Sequence, residues 1–145
     1  MEYIKIMILS MLPITELRGA IPIGIAKGLN PIGVYTVSVL GSTIVSIPLI
    51  LTFRHILEFL KSITIFKGLV KKIDNKINSA MKRLKSVSIL GIILFIGIPL
   101  PTTGTWTASV VSSILDIRIK NALPGVLIGN MMSGIIVSAI SLHLI

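Results

Sequence analysis

The chain of 145 residues has no cysteine, only five acidic residues, two histidines and 5% aromatics. Without cysteine there is no disulfide framework, thiolate zinc site or iron–sulfur cluster. His55 and His143 lie far apart in the sequence, and no His-Glu-x-x-His, glycine-rich phosphate loop or Gly-x-Ser-x-Gly occurs, so no enzyme, metal or cofactor is expected. Charge as a whole is scarce, at 13% of residues against roughly 25% in soluble domains. Apolar residues make up 53%, and mean hydropathy is +0.98. A chain this small cannot cover so much apolar surface in water. It reads as one integral membrane domain.

The long intervals without charge give the layout. Residues 28–53 and 121–145 carry no Lys, Arg, Asp or Glu over 26 and 25 positions. A membrane-crossing helix needs about 20 apolar residues, so spans are expected over 31–53 and 122–144. A third interval, 86–115, is broken by Pro99-Leu100-Pro101-Thr102-Thr103-Gly104. The N-terminal stretch is broken similarly: 6–12 is apolar, Pro13 to Pro22 interrupts it, and the chain is apolar again to Ala26. Paired half-length apolar segments around a polar break predict re-entrant helical hairpins. A cleaved signal peptide over 1–28 fits poorly, because Glu2 sits where basic residues belong and Glu16 and Arg18 sit near the would-be cleavage site.

Net charge is +9, and residues 54–85 hold nine of the fourteen basic residues. Ile63, Phe66, Val70, Ile73, Ile77, Met81 and Leu84 recur there at helical spacing. The reading is a basic amphipathic helix on the cytoplasmic face, attracted to anionic membrane lipids rather than to nucleic acid. A purely topological connector is the plainer alternative.

An internal repeat is visible. Leu12-Pro13 and Leu100-Pro101, Thr15 and Thr103, and Gly41 and Gly129 are each 88 residues apart. The expected fold is all-α and membrane-integral. Two inverted repeats (1–53 and 87–145), each a re-entrant helical hairpin plus one transmembrane helix, are joined by the basic amphipathic helix over 54–86. Broken segments at matching positions of inverted halves point to a substrate site at the midplane. Small residues around Gly41 and Gly129 suit close helix packing and are the candidate interface of a homodimer.

The candidate site is built on the two breaks. Glu16 and Arg18 are the only charges in the first, and ionisable groups at membrane depth mark a pathway, a relay or a pinned tip. Thr15 is placed to cap the helix that follows it, and Thr102 or Thr103 to do so in the second break. Two facing helix N-termini, with the planar fork of Arg18, would receive an anion. Glu16 could neutralise Arg18 or carry a proton. A direct bridge is not favoured at a spacing of two. Trp106 is placed to stack on a ligand or anchor an interface. Asp116, Arg118 and Lys120 read as interfacial anchors, and Asn130 and Ser133 as packing groups.

The stretches Leu12-Pro13-Ile14-Thr15-Glu16-Leu17-Arg18-Gly19-Ala20-Ile21-Pro22 and Pro99-Leu100-Pro101-Thr102-Thr103-Gly104-Thr105-Trp106-Thr107 resemble the small multidrug export protein family over essentially the whole chain. That family is considered similar in architecture to DedA-like membrane proteins. The resemblance implies proton-dependent export of drugs, or transport or scrambling of anionic lipid or polyprenyl-phosphate carriers, with Glu16 and Arg18 as the charged pair. The second break has no acid or arginine before Asp116, which departs from a pattern of charges in both halves. A non-transporting scaffold is the third alternative. The expected location is the inner or plasma membrane, multi-pass.

Overall fold

A computed structural model describes residues 1–65, 67–68, 71–72, 75, 87–100 and 103–144. Six helices occur among them: α1 (Glu2–Met11), α2 (Glu16–Ala26), α3 (Pro31–Ser62), α4 (Val87–Gly97), α5 (Thr105–Ile114) and α6 (Ile119–Leu144). The apolar stripe from Phe66 to Leu84 that predicts an amphipathic helix falls mostly outside the described residues, as does Thr102.

Local chemistry sets the helix ends. Leu12 leaves α1 in an extended conformation (φ −74°, ψ 143°), which the residue before a proline favours. Gly28 follows α2 with φ +74°, a left-handed turn that glycine adopts without strain. Asn30 caps α3 through its side chain, accepting from the N–H groups of Ile32 (2.9 Å) and Gly33 (3.4 Å), and Pro31 opens the helix where its missing N–H is not needed.

The first long helix does not stop at Phe53. It continues to Ser62, through Arg54, His55, Glu58 and Lys61. The polarity of those residues places them beyond an apolar core but is no helix stop, and neither glycine nor proline interrupts them. The first nine residues of the expected connector, 54–62, thus continue the helix that begins at Pro31. The second long helix starts three residues before the expected 122.

α3 and α6 run antiparallel. Val34 shares a buried cluster with Val137, and Ile50 shares a second with Ala122 and Val126. α1 and α2 complete the first cluster with Ile6, Leu17, Ala20, Ile21 and Ile25. α4 and α5 complete the second with Ile92, Ile96 and Ala108. Each helix pair thus sits against an opposite end of the α3–α6 pair. The two pairs differ in detail. α1 lies along α2, and Lys27 meets the Glu2 carboxylate (3.0 Å), so the chain reverses at 12–15. Hydrogen bonds from Lys5 and Lys27 hold that exposed carboxyl down at about 2. α5 touches α4 sparingly and packs chiefly on α3, where Ser113 donates to the Ile50 carbonyl (3.1 Å).

Polarity is reversed relative to a water-soluble bundle. Ser10, Ser38, Ser42, Ser46, Ser133 and Asn130 are buried, while Leu40, Ile44, Leu51, Ile128 and Ile135 are exposed. Small polar groups between helices and large apolar ones outside are what lipid surroundings select. α3 and α6 are long and apolar enough to cross a membrane, with mean hydropathy of 1.9 and 1.8 over their best windows.

The small-residue faces are occupied within the chain. A Cβ at Gly41 would meet Ser10 and stand 2.7 Å from the Met7 carbonyl of α1. One at Gly129 would stand 2.7 Å from Ile96 of α4, and one at Gly134 would stand 2.8 Å from Tyr35 of α3. These glycines let the chain's own helices approach, so a homodimer would need other surfaces. Gly41→Ala is expected to lower stability by about 1–3 kcal/mol, since the obstacle includes backbone that cannot rotate away. Unfolding in detergent checks this, and an unshifted midpoint would contradict the close approach.

Candidate functional site

The first break, 12–15, and the described residues of the second, 98–100 and 103–104, come together where the helix pairs meet. Helix ends carry unpaired N–H or C=O groups, and each must find a partner when water is excluded. Here the partners come from the opposite half of the chain.

The Glu16 carboxylate, 7% exposed, reaches the start of α5. Its Oε1 accepts from the Trp106 backbone N–H (3.3 Å), and the carboxylate lies directly against Gly104, with no room for a Cβ. It caps α5 from outside, where the partial positive charge of a helix N-terminus favours an anion. Gly104, the residue at the N-cap position, has no side chain to do so. Glu16 itself adopts φ +45°, a left-handed conformation that costs a non-glycine residue roughly 1 kcal/mol and persists where the surroundings fix it.

Arg18 serves the other polarity. Its Nη1 donates to the Leu100 carbonyl (2.7 Å) and its Nη2 to the Ile96 carbonyl (2.9 Å). Longer contacts of 3.4 Å run from Nη2 to the Ile98 carbonyl and Thr103 Oγ1, and from Nε to Ser133 Oγ. The guanidinium thus gathers the carbonyls at the end of α4, where a cation is favoured. The planar fork expected to be free for an anion is largely committed to backbone.

Trp106 returns the service. Its indole Nε1 donates to the Met11 carbonyl at the end of α1 (3.1 Å), which fixes the ring between the two breaks. Thr15 does not cap α2 through its side chain. Its hydroxyl donates back to the Leu9 carbonyl of α1. Thr103 behaves likewise, donating to the Ile98 carbonyl (2.9 Å). The expectation of two open N-termini facing each other gives way to an α5 N-terminus filled by Glu16. Positions 88 apart play matched roles: Thr15 bonds back into α1 and Thr103 back to Ile98 just past the end of α4, Arg18 and Trp106 each cap the opposite break, and Glu16 sits on Gly104.

Glu16 and Arg18 do not form an ion pair. Ion pairs among the described residues include Lys5–Glu2, Lys27–Glu2 and Arg54–Asp116. The last involves a residue that sequence reasoning passed over as one more connector charge. Arg54 donates to the Ile117 carbonyl (2.8 Å) and lies 3.5 Å from Asp116, tying α3 to the turn after α5. Asn130, fully buried, accepts from Thr105 (3.0 Å) and donates to Thr43 (3.2 Å), joining α3, α5 and α6 beside the site.

Two clefts adjoin this knot. One, of about 310 Å³, is lined by Pro13, Thr15, Glu16, Arg18, Trp106 and Thr107. The other, of about 410 Å³, is walled by Pro22, Pro99, Val137, Ile140 and Leu144, with Arg18 and Ser141 as its polar members. Arg18 borders both. No group of three or more His, Cys, Asp or Glu able to hold a metal occurs among the described residues.

The architecture defines an all-helical protein with two membrane-length helices and an interior polar junction between broken segments. The chain belongs to the family described as Putative small multi-drug export protein, whose model matches residues 16–136. No curated protein and no solved structure matches it.

Proposed function

We propose that this protein is a multi-pass transporter of the plasma (inner) membrane that exports small lipophilic compounds in exchange for protons, with Glu16 as the proton-carrying group. One observation carries the reading: the Glu16 carboxylate is almost fully buried, lines a cleft, and holds an element of the opposite half of the chain. Ionised, it accepts from the α5 N-terminus. Protonated, it loses the charge that the helix end favours, and the contact between the two breaks weakens. A proton thus exchanges with the grip of one half on the other, which is the kind of bistable contact alternating access needs.

In this reading the connector after α3 faces the cytoplasm, as its basic residues favour. α3 and α6 cross in opposite directions. The two helix pairs are re-entrant, enter from opposite sides as inverted repeats, and meet near the midplane, a reading supported by their packing at opposite ends of the α3–α6 pair. The anionic-lipid alternative loses ground because most donors of Arg18 are already engaged with carbonyls. A non-transporting scaffold is the second reading, favoured by the fact that Glu16, Arg18 and Trp106 all act as caps.

The test is efflux of 2-naphthoate and of ethidium from proteoliposomes under an imposed pH gradient. Glu16→Gln should reduce the gradient-driven part at least roughly tenfold, the scale of losing a required proton-transfer group. Its melting should stay near wild type, because the amide oxygen still accepts from Trp106. Wild-type flux in that variant overturns the assignment to Glu16. Flux no greater than in protein-free liposomes for both probes favours the scaffold.

A further inference from the structure

We infer that the 410 Å³ cleft between α2, the start of the second break and the last turns of α6 binds a compact aromatic monoanion, of the arylcarboxylate class. Its size falls within the roughly 300–1,000 Å³ of small-molecule sites. Pro22, Pro99, Val137, Ile140 and Leu144 give it apolar walls. Arg18 is the one charged residue lining it. The Ser141 hydroxyl donates to the Val137 carbonyl (2.7 Å), so toward a ligand it offers acceptor lone pairs.

The sign of the ligand follows from the surroundings of Arg18. No carboxylate lies within ion-pair distance of its guanidinium among the described residues, and the one acid nearby in sequence, Glu16, is turned to α5. Backbone carbonyls and hydroxyls solvate the cation, and Glu16, which acts on it through space, makes no ion pair with it and is itself held by the start of α5, so the balance tips back to positive whenever Glu16 takes a proton. Beside apolar walls that charge attracts an anion and repels a cation more strongly than in water.

The number of charges follows from the donors. Of the five guanidinium N–H groups, those with partners are held by the break and by Ser133, and one on Nη1 has no partner among the described residues. A single remaining donor suits one oxygen of a monoanion. It does not suit the two-point grip that a phosphate dianion takes from a free fork. The apolar walls select an aromatic or alicyclic body. The inference concerns the substrate end of the transport reading and rests on it only for direction of movement. Binding stands or falls separately.

The experiment is equilibrium binding of 2-naphthoate and of its cationic counterpart, 2-naphthyltrimethylammonium, to the full chain in lipid nanodiscs, against protein-free nanodiscs. Naphthoate is expected to bind at least roughly tenfold more tightly than the cation. Ile140→Trp fills the cleft away from the breaks, and it should weaken naphthoate at least roughly tenfold while leaving the melting temperature in place. Arg18→Gln should abolish the preference for the anion in whatever fraction folds. Equal binding of the two probes, or undiminished naphthoate binding to Ile140→Trp, overturns the inference. Binding of naphthoate without gradient-driven flux would retain the site and reject the transport reading. Gradient-driven flux without naphthoate binding would do the reverse.

Discussion

Arg18→Ala is expected to lower the unfolding free energy by about 3 kcal/mol, the largest loss of any single truncation at the junction. The side chain donates to the carbonyls of Ile96 and Leu100 at short range and approaches that of Ile98. Truncation leaves the end of α4 without those donors, and in lipid surroundings water does not replace them freely. A buried acceptor left unsatisfied costs about 1–3 kcal/mol, and the partial exposure of this site keeps the sum well below three full penalties. Arg18→Lys should recover less than half. An ammonium keeps the charge, but as a compact point it cannot span carbonyls four residues apart as a planar fork does. Unfolding of the three proteins in a mixed-micelle titration gives the order wild type, Lys, Ala. A lysine variant as stable as wild type would mean that charge alone matters and that the fork geometry is incidental.

Gly104→Ala is expected to be nearly as severe, at about 2 kcal/mol, for the opposite reason. Nothing is removed; a methyl group is placed where the Glu16 carboxylate lies. The carboxylate must move, the α5 N-terminus loses its acceptor, and Glu16 keeps a left-handed backbone that no longer serves a contact. Combination with Glu16→Ala separates clash from capping. If the two groups meet as described, the double variant is more stable than the sum of the single losses implies, by at least about 0.5–1 kcal/mol. Strict additivity in the same unfolding assay would show that they do not touch. A pH-driven flux assay on Gly104→Ala should also resemble Glu16→Gln, since both take the acid out of its seat.

Much of the architecture was legible in advance. The uncharged intervals mark α3 and α6, because a helix in lipid cannot carry charge along its middle. Leu12-Pro13 marks the first break, because proline withholds the N–H that α1 would need to continue. Other features were hidden for identifiable reasons. Residues 54–62 change polarity without changing helix propensity, so the uncharged interval ends at 53 while α3 runs on to Ser62. Thr15 and Thr103 looked like caps, since a hydroxyl before a helix usually is one. Their hydroxyls turn backward instead, to Leu9 in α1 and to Ile98 just past α4, and the capping of α5 is supplied by an acid 88 residues before its N-cap glycine. Glu16 and Arg18 were recognisable as unusual, but their partners are backbone atoms of a distant segment. Backbone has no residue type for a pattern to register. Gly104 gave one overlooked hint: it stands at the same 88-residue offset from Glu16 that relates the two threonines.

The mutual capping also bears on how the molecule is made. The end of α1 awaits the indole of Trp106, and Glu16 awaits the amide groups that begin α5. At roughly 5–20 residues per second on the ribosome, the N-terminal hairpin has no mate for on the order of ten seconds after it emerges. During that interval the open backbone groups of its tip must be met by water or by a temporary alternative pairing. Biogenesis of so short a chain is therefore a matter of timing, with the second half arriving as the chaperone of the first.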